Sequence, residues 1–179
     1  MIVGLIGQKR VGKDTAALAL LQDGFYVVKF ADGLKIMLRA LLKSLDYSDR
    51  GIDSLLENQL KEVPLPVLAG RSPRYAMQTL GTEWGRNCMG ENIWVEIAIE
   101  RCLGRKNSVI TDCRFPNEAE AIHRAGGVLI RITRDTHYTD THSSEALVDS
   151  LPFDYEVLNT GTIENLGDEV RQIVAGHAK

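Results

Sequence analysis

The 179-residue chain has few cysteines, only Cys88, Cys102 and Cys113. Their number is odd and no two stand at a metal-ligand spacing. That argues against a disulfide framework and predicts free thiols in a reducing, cytoplasmic setting. The histidines, His123, His137, His142 and His177, lack ligand spacing as well, so no structural zinc is expected. Positive charge is not in excess: the formal net charge is −3, which disfavours general nucleic-acid binding. No apolar run is long enough to span a bilayer. The N-terminal apolar segment is interrupted at Gly4 and leads straight into a polar loop, so it is not expected to be a signal peptide. Internal repeats and low-complexity segments are also missing. What remains is a length that suits one α/β domain over residues 1–179, with room for a small lid.

What is present is concentrated near the N-terminus. Gly7-Gln8-Lys9-Arg10-Val11-Gly12-Lys13-Asp14-Thr15 follows a short apolar run, residues 2–6, that reads as a buried strand. It precedes residues 16–21, which read as a helix. Strand, glycine loop and helix in that order are the context a phosphate-binding loop needs. The glycines let the backbone curl so that N–H groups point inward at phosphate oxygens, and the helix start adds partial positive charge. Lys13 is placed to reach the outer phosphates, with Lys9 and Arg10 beside it. The residue after the lysine of such a loop is ordinarily Ser or Thr, a ligand of Mg²⁺; here it is Asp14, with Thr15 one later. A carboxylate beside phosphates is repelled unless a metal stands between them. Asp14 is therefore expected to face Mg²⁺, directly or through water, with Thr15 helping there or holding the phosphates.

Along the chain, residues 25–30 read as a second strand. Leu34, Leu38, Leu41, Leu42 and Leu45 recur at helical spacing and predict a helix over about 34–45. Lys35 lies in its first turn, where the helix dipole favours anions; it is either a solvated lysine or a cation aimed at a substrate phosphate. Residues 52–63 suggest a short helix ended by Pro64 and Pro66. Ser72-Pro73 is a strong helix start, and this helix carries Arg74 and Gln78 on one face and is expected to stop near Gly81. Asn92 caps the next helix, which holds Trp94, by base rate a core residue, and Gly104 ends it. Residues 108–112 read as a third strand ending in Asp112, with Arg114 two residues on. Pro116 starts a helix through Ala125. Residues 128–133 and 155–158 are further strands, and residues 163–175 a closing helix. The polar segment 134–145 reads as a loop with Arg134 at its root, either a lid that closes over phosphates or a plain surface loop.

Five strands alternating with helices predict an α/β three-layer sandwich with a five-stranded parallel sheet of the P-loop kind. Ligands of such sheets sit outside the carboxyl ends of the strands, where Asp112 and Arg114 fall, either as ligand groups or as a mutual salt bridge. Phosphoryl transfer needs a donor loop, Mg²⁺, cations for developing charge and an acceptor site. Gly7–Thr15 would be the loop, Asp14, Thr15 and Asp112 candidate metal groups, and Lys9, Lys35, Arg74 and Arg114 candidate acceptor-side cations. Arg134 is a candidate closing cation.

The chain resembles the phage-type deoxynucleoside monophosphate kinases, relatives of phosphomevalonate kinases among the P-loop kinases. The matching pieces span nearly its whole length. They are residues 7–15 with the unusual Lys-Asp-Thr, Arg74 with residues 77–82, Trp94-Val95, Asp112-Cys113-Arg114 with Glu118, residues 125–127, residues 140–145 and Asn159-Thr160-Gly161-Thr162. The resemblance implies transfer of the γ-phosphate of ATP to a deoxynucleoside monophosphate. It implies Arg10, Gly12, Lys13, Asp14 and Thr15 around ATP and Mg²⁺, with the turn at Asn159 and Gly161 at the adenine. Lys9, Leu34, Lys35, Arg74, Gly81, Thr82, Trp94, Asp112 and Arg114 would surround the monophosphate, and residues of about 31–95 would form an acceptor-side helical region. Glu118, His142 and Glu145 would order the pocket or contact substrate, and Arg134 would assist transfer. Only small-molecule partners are implied, with neither nucleic acid nor membrane, and a homodimer is compatible with the family. The competing readings are another P-loop small-molecule kinase, acting on phosphomevalonate or dephospho-coenzyme A, and a P-loop ATPase switch.

Overall fold

β1 (Ile2–Ile6) is buried along its entire length, as a strand without a polar side chain allows when it is covered on both faces. It is the middle strand of a five-stranded sheet, with β3 (Ser108–Ile110) on one side and β4 (Val128–Thr133) on the other. β2 (Tyr26–Val28) and β5 (Tyr155–Leu158) form the edges, giving the order β2-β3-β1-β4-β5 with every pair parallel. The computed structural model describes residues 1–134 and 148–177.

Residues of alternate parity in β1 and β4, Val3, Leu5, Val128, Ile130 and Ile132, join Val109 and Val157 in one apolar layer. α1 (Lys13–Gln22) and α7 (Ile163–His177) cover it with Ala16, Ala17, Leu20, Leu166, Val170 and Val174. α6 (Pro116–Arg124) packs on β1 and β4 through the buried Ala119 and Ile122. The expected α/β sandwich with its parallel five-stranded sheet is therefore what the chain forms.

The strand boundaries at the sheet's carboxyl edge differ from the periodicity. β2 ends at Val28 and β3 at Ile110, short of the expected residues 30 and 112. Beyond them a side chain replaces the ladder: Phe30 N–H donates to Asp112 Oδ1 at 2.9 Å.

By its contacts the chain divides into two units, Met1–Phe30 with Ala98–Lys179, and Ala31–Ile97. The second unit is helical. α2 (Asp32–Lys43) and α3 (Asp49–Glu57) meet through Leu38, Leu42, Ile52, Leu55 and Leu56. The helix expected over residues 52–63 instead starts at Asp49, where the Ser48 hydroxyl accepts from Gly51 N–H. It breaks at Asn58, whose extended backbone hands over to a 3₁₀ turn, Gln59–Glu62. A second 3₁₀ turn spans Pro66–Leu68. α4 (Pro73–Thr79) starts at the expected Ser72 cap but does not stop at Gly81. It widens into a π-helix, Leu80–Met89, before α5 (Ile93–Leu103). Trp94 explains the continuation: its indole N–H donates to Gly81 O at 2.8 Å, and a Cβ on Gly85 would fall 2.4 Å from the same nitrogen. The glycines serve a close approach rather than a helix stop.

Ahead of β5, Asp154 ties that strand to β4. Its carboxylate accepts from Leu129 N–H at 2.7 Å and meets His123 Nε2 at 2.9 Å. Burial works against the charge, but the Leu129 and His123 contacts outweigh it and hold the carboxyl below its ordinary pKa. A carboxylate depressed on folding adds stability above its unfolded pKa and loses it as pH falls through the folded one. Asp154→Asn is therefore expected to be less stable than the parent protein near neutrality, with the gap closing below about pH 4. Urea melts of both proteins across that range check it, and a gap independent of pH would remove the charged form from the account.

Candidate functional site

Four strand ends of the first unit point the same way because the strands are parallel, and the predicted site residues of that unit follow them. Gly7–Thr15 leaves β1, Asp112 and Arg114 follow β3, Arg134 follows β4, and Asn159 and Gly161 follow β5.

The loop after β1 turns through positive φ at Gly7 (149°), Arg10 (70°) and Gly12 (114°). Glycine is required at the ends of this turn for space as well as angle. A Cβ on Gly7 would meet Ile132 O at 2.3 Å, and one on Gly12 would meet Asn159 Nδ2 at 2.6 Å. The loop curls around the Lys13 ammonium, which donates to Gly7 O at 2.6 Å and Gln8 O at 2.7 Å. Lys9, Arg10 and Asp14 are exposed, and Thr15 is half-buried in the first turn of α1.

Asn159 braces this loop from the neighbouring strand end. Its Nδ2 donates to Val11 O at 2.8 Å, and its backbone N–H to Thr133 O at 2.7 Å. The same turn lines a cleft of about 450 Å³ with Leu158, Gly161, Thr162, Asn165 and Glu169. After β3, Glu118 is 4 % exposed, and its Oε2 accepts from Arg114 N–H at 2.7 Å and Phe115 N–H at 3.1 Å. It caps α6 and fixes the backbone that carries Arg114. Burial and the nearby Glu118 and Asp112 carboxylates push the Cys113 thiol well above its ordinary pKa, so it remains a neutral packing group.

The predicted residues of the second unit lie among carboxylates and apolar groups. Lys35 Nζ holds both oxygens of Glu57, at 2.8 and 2.6 Å, and Arg74 is paired with Glu62. Leu34 is half-buried and close to Gly81, Thr82 is exposed, and Trp94 is buried with its single N–H donor used on Gly81. An apolar cavity of about 510 Å³ lies between Met37, Leu38 and Leu41 of α2 and Leu80 and Trp84 of the π-helix. His142 and Glu145, and most of the 134–145 segment, lie outside the described residues.

The sequence reading missed the partners. Glu57 and Glu62 fall in the stretch expected as a short helix but carried no motif signal. Arg131 did: a cation between the fully buried Ile130 and Ile132 needs partners, and its guanidinium donates to Asp149 O at 3.0 Å and Leu151 O at 2.7 Å.

A parallel sheet with a lysine-centred glycine loop after its middle strand defines a P-loop kinase type of nucleotide-binding fold. Shikimate kinase from Aquifex aeolicus shares this fold, with a TM-score of 0.56 at 14 % identity, covering 99 % of this chain and 98 % of that one. The family model for deoxynucleotide monophosphate kinase matches residues 52–170. A protein of Acanthamoeba polyphaga mimivirus, provisionally described under that name, is 34 % identical over 95 % of this chain and 94 % of its own. The deoxynucleotide monophosphate kinase of Escherichia phage RB69 is 29 % identical over 75 % of this chain and 57 % of its own. The chain belongs to the deoxynucleotide monophosphate kinase family, and with it to the phosphotransferases.

Two buried hydrogen bonds converge on Glu118, and their loss sets a measurable cost. Glu118→Ala is expected to lower stability by about 1–3 kcal/mol, because it strands the Arg114 and Phe115 N–H groups. Glu118→Gln, which retains an acceptor, is expected to lose less. Chemical denaturation of the two variants tests this, and an alanine variant as stable as the parent protein would contradict the capping role.

Proposed function

We propose that the chain transfers the γ-phosphoryl group of ATP to a phosphate oxygen of a deoxynucleoside 5′-monophosphate, releasing ADP and the deoxynucleoside diphosphate. The observation that carries this reading is the Lys13 ammonium held inside the glycine loop by Gly7 O and Gln8 O. A cation, inward-curling backbone and the start of α1 meet there, which is a fit for a polyphosphate. Asp14 and Thr15 follow at once. One or two oxygen ligands beside substrate phosphates suit Mg²⁺, and among the described residues no cluster of three or more His, Cys, Asp or Glu groups competes for a metal. Bound there, Mg²⁺ would neutralise charge on the transferring phosphates.

The chemistry asks little else of the protein. An acceptor phosphate oxygen is already anionic, so it attacks the γ-phosphorus without a general base while the bridging bond to the β-phosphate breaks. Lys13 offsets charge on the phosphoryl group. Arg114, on a backbone fixed by Glu118, is assigned to the acceptor phosphate, since a guanidinium binds phosphate as a bidentate fork. Lys9 is assigned to the same anion and Arg134 to the transferring group, while for Lys35 and Arg74 of the second unit the acceptor-side role rests on the family resemblance alone. Trp94 serves by holding Gly81 and the adjoining Thr82. The turn at Asn159 and Gly161 is assigned to the adenine, in the cleft it lines.

A coupled ADP-release assay with ATP and Mg²⁺ against a panel of deoxynucleoside and ribonucleoside monophosphates tests the reaction. Turnover is expected with deoxynucleotides and not in the no-acceptor control. Silence across the panel, with phosphomevalonate or dephospho-coenzyme A active instead, would transfer the chain to another acceptor. Lys13→Ala is expected to lower kcat by about 10²–10³, as for loss of one charge-stabilising donor. Arg114→Ala is expected to raise KM for the monophosphate by about 10- to 100-fold while ATP binding is kept, from loss of a charge-assisted contact. An equal loss of both ligands in binding titrations would refute the acceptor-side role.

A further inference from the structure

The loop that holds Lys13 is itself held from outside. Gln8 Nε2 donates to Asp149 Oδ2 at 2.8 Å, while the Gln8 carbonyl accepts from Lys13 Nζ. One residue thus links the donor lysine to a turn far along the chain. That turn is firmly set. Val148 and Leu151 are buried, and Arg131 of β4 donates to Asp149 O and Leu151 O. The Arg131 guanidinium also lies 4.0 Å over the Phe153 ring. Arg131 is in turn fixed by sheet register, opposite Ile6, the residue before the loop. The path therefore runs from the strand beside β1, through Arg131 and Asp149, to Gln8 and back to the strand–loop junction.

We propose that Asp149, placed by Arg131, is a positioning residue for the donor loop: it holds Gln8 so that the Gly7 and Gln8 carbonyls keep Lys13 where a nucleotide polyphosphate meets it. This inference rests on the donor-loop assignment above. Its physical basis is the freedom of the loop. The glycines at its ends take backbone angles open to few other residues, and Lys9 and Arg10 between them are exposed. Ordering such a loop on binding costs conformational entropy, and a bond to a fixed turn removes part of that cost beforehand. The Gln8 amide is neutral, so the role depends on an acceptor at position 149 rather than on its charge.

Steady-state kinetics on the full chain, with both substrates varied, test it. Asp149→Ala is expected to raise KM for ATP by about 5- to 10-fold, the effect of one ordinary hydrogen bond, and to leave KM for the monophosphate unchanged. Asp149→Asn, which still accepts from Gln8, is expected to regain most of the loss. Gln8→Glu sets two carboxylates against each other and is expected to be at least as impaired as Asp149→Ala. Adding Asp149→Asn to it restores a bond of reversed polarity, with the asparagine amide donating, and is expected to recover ATP binding. The inference is overturned by a wild-type KM for ATP in Asp149→Ala, by an equal rise in both KM values, or by a double variant no better than Gln8→Glu alone. Should Asp149→Ala prove unstable, the Gln8 and Asp149 exchange decides by itself. Full turnover in Lys13→Ala would defeat the donor-loop assignment, whereas a crippled Lys13→Ala beside a silent Asp149→Ala defeats this inference only.

Discussion

The pairing of β1 with β3 and β4 is the constraint on which the rest of the first unit depends. β1 is buried throughout and parallel to both neighbours, so its loop and theirs emerge at one edge. No side chain has to reach across the molecule to bring the lysine loop, Asp112 and Arg114, and the Asn159 turn to the same side of the sheet. Buried apolar strands do this without polar contacts of their own. The energy is spread over many methyl and methylene groups, each worth about 0.8 kcal/mol when buried, and the geometry follows from strand direction alone.

Polar groups then refine what the strands leave loose. Asn159 Nδ2 on Val11 O and Asp112 on Phe30 N–H join a side chain at one strand end to the backbone after another, and Glu118 of α6 holds Arg114 N–H in the turn after β3. Each is a bond to a backbone group that has left the ladder and must find a partner. The edge of the sheet is thus a place where the backbone's unmet hydrogen bonds are satisfied by the residues that stand ready for chemistry.

The order and type of the sheet elements were legible because their signals are local. β1 and β4 are mainly apolar runs and β5 a short β-prone one, each with turn residues beside it, and the Ser72 cap is readable from one hydroxyl and one proline. What was not legible depends on tertiary contact. The early ends of β2 and β3 follow from one carboxylate, Asp112, replacing ladder bonds. The π-helix at Leu80–Met89 follows from Trp94 seated on Gly85 and Gly81, a contact that reverses the usual sense of a helix-ending glycine. The loop motif and the charged residues after β3 stood out in the chain; Asn159 and Glu118 were named as site residues, but their bracing contacts were not foreseen, and Asp149 resembles an ordinary polar residue. Arg131, a cation between apolar residues of its strand, carried a signal that the sequence analysis did not take up.

The residue types after β3 also bear on what the phosphates are transferred to. A P-loop switch that hydrolyses its nucleotide uses acidic or water-orienting groups there, whereas this chain places Arg114. A carboxylate about 4 Å from an anionic acceptor would cost about 4 kcal/mol at an effective dielectric of 20, and a guanidinium gains the same amount. The second unit follows the same logic in another form. Lys35 and Arg74 are already matched to the carboxylates of Glu57 and Glu62. On the proposed reading, an incoming phosphate exchanges one anion for another at cations that are already oriented in solvent-exposed ion pairs. Exposed pairs of this kind are worth about 0–1 kcal/mol each, so opening them to free the carboxylates costs little. A water molecule offers no charge with which to displace them, and this favours an anionic acceptor over hydrolysis.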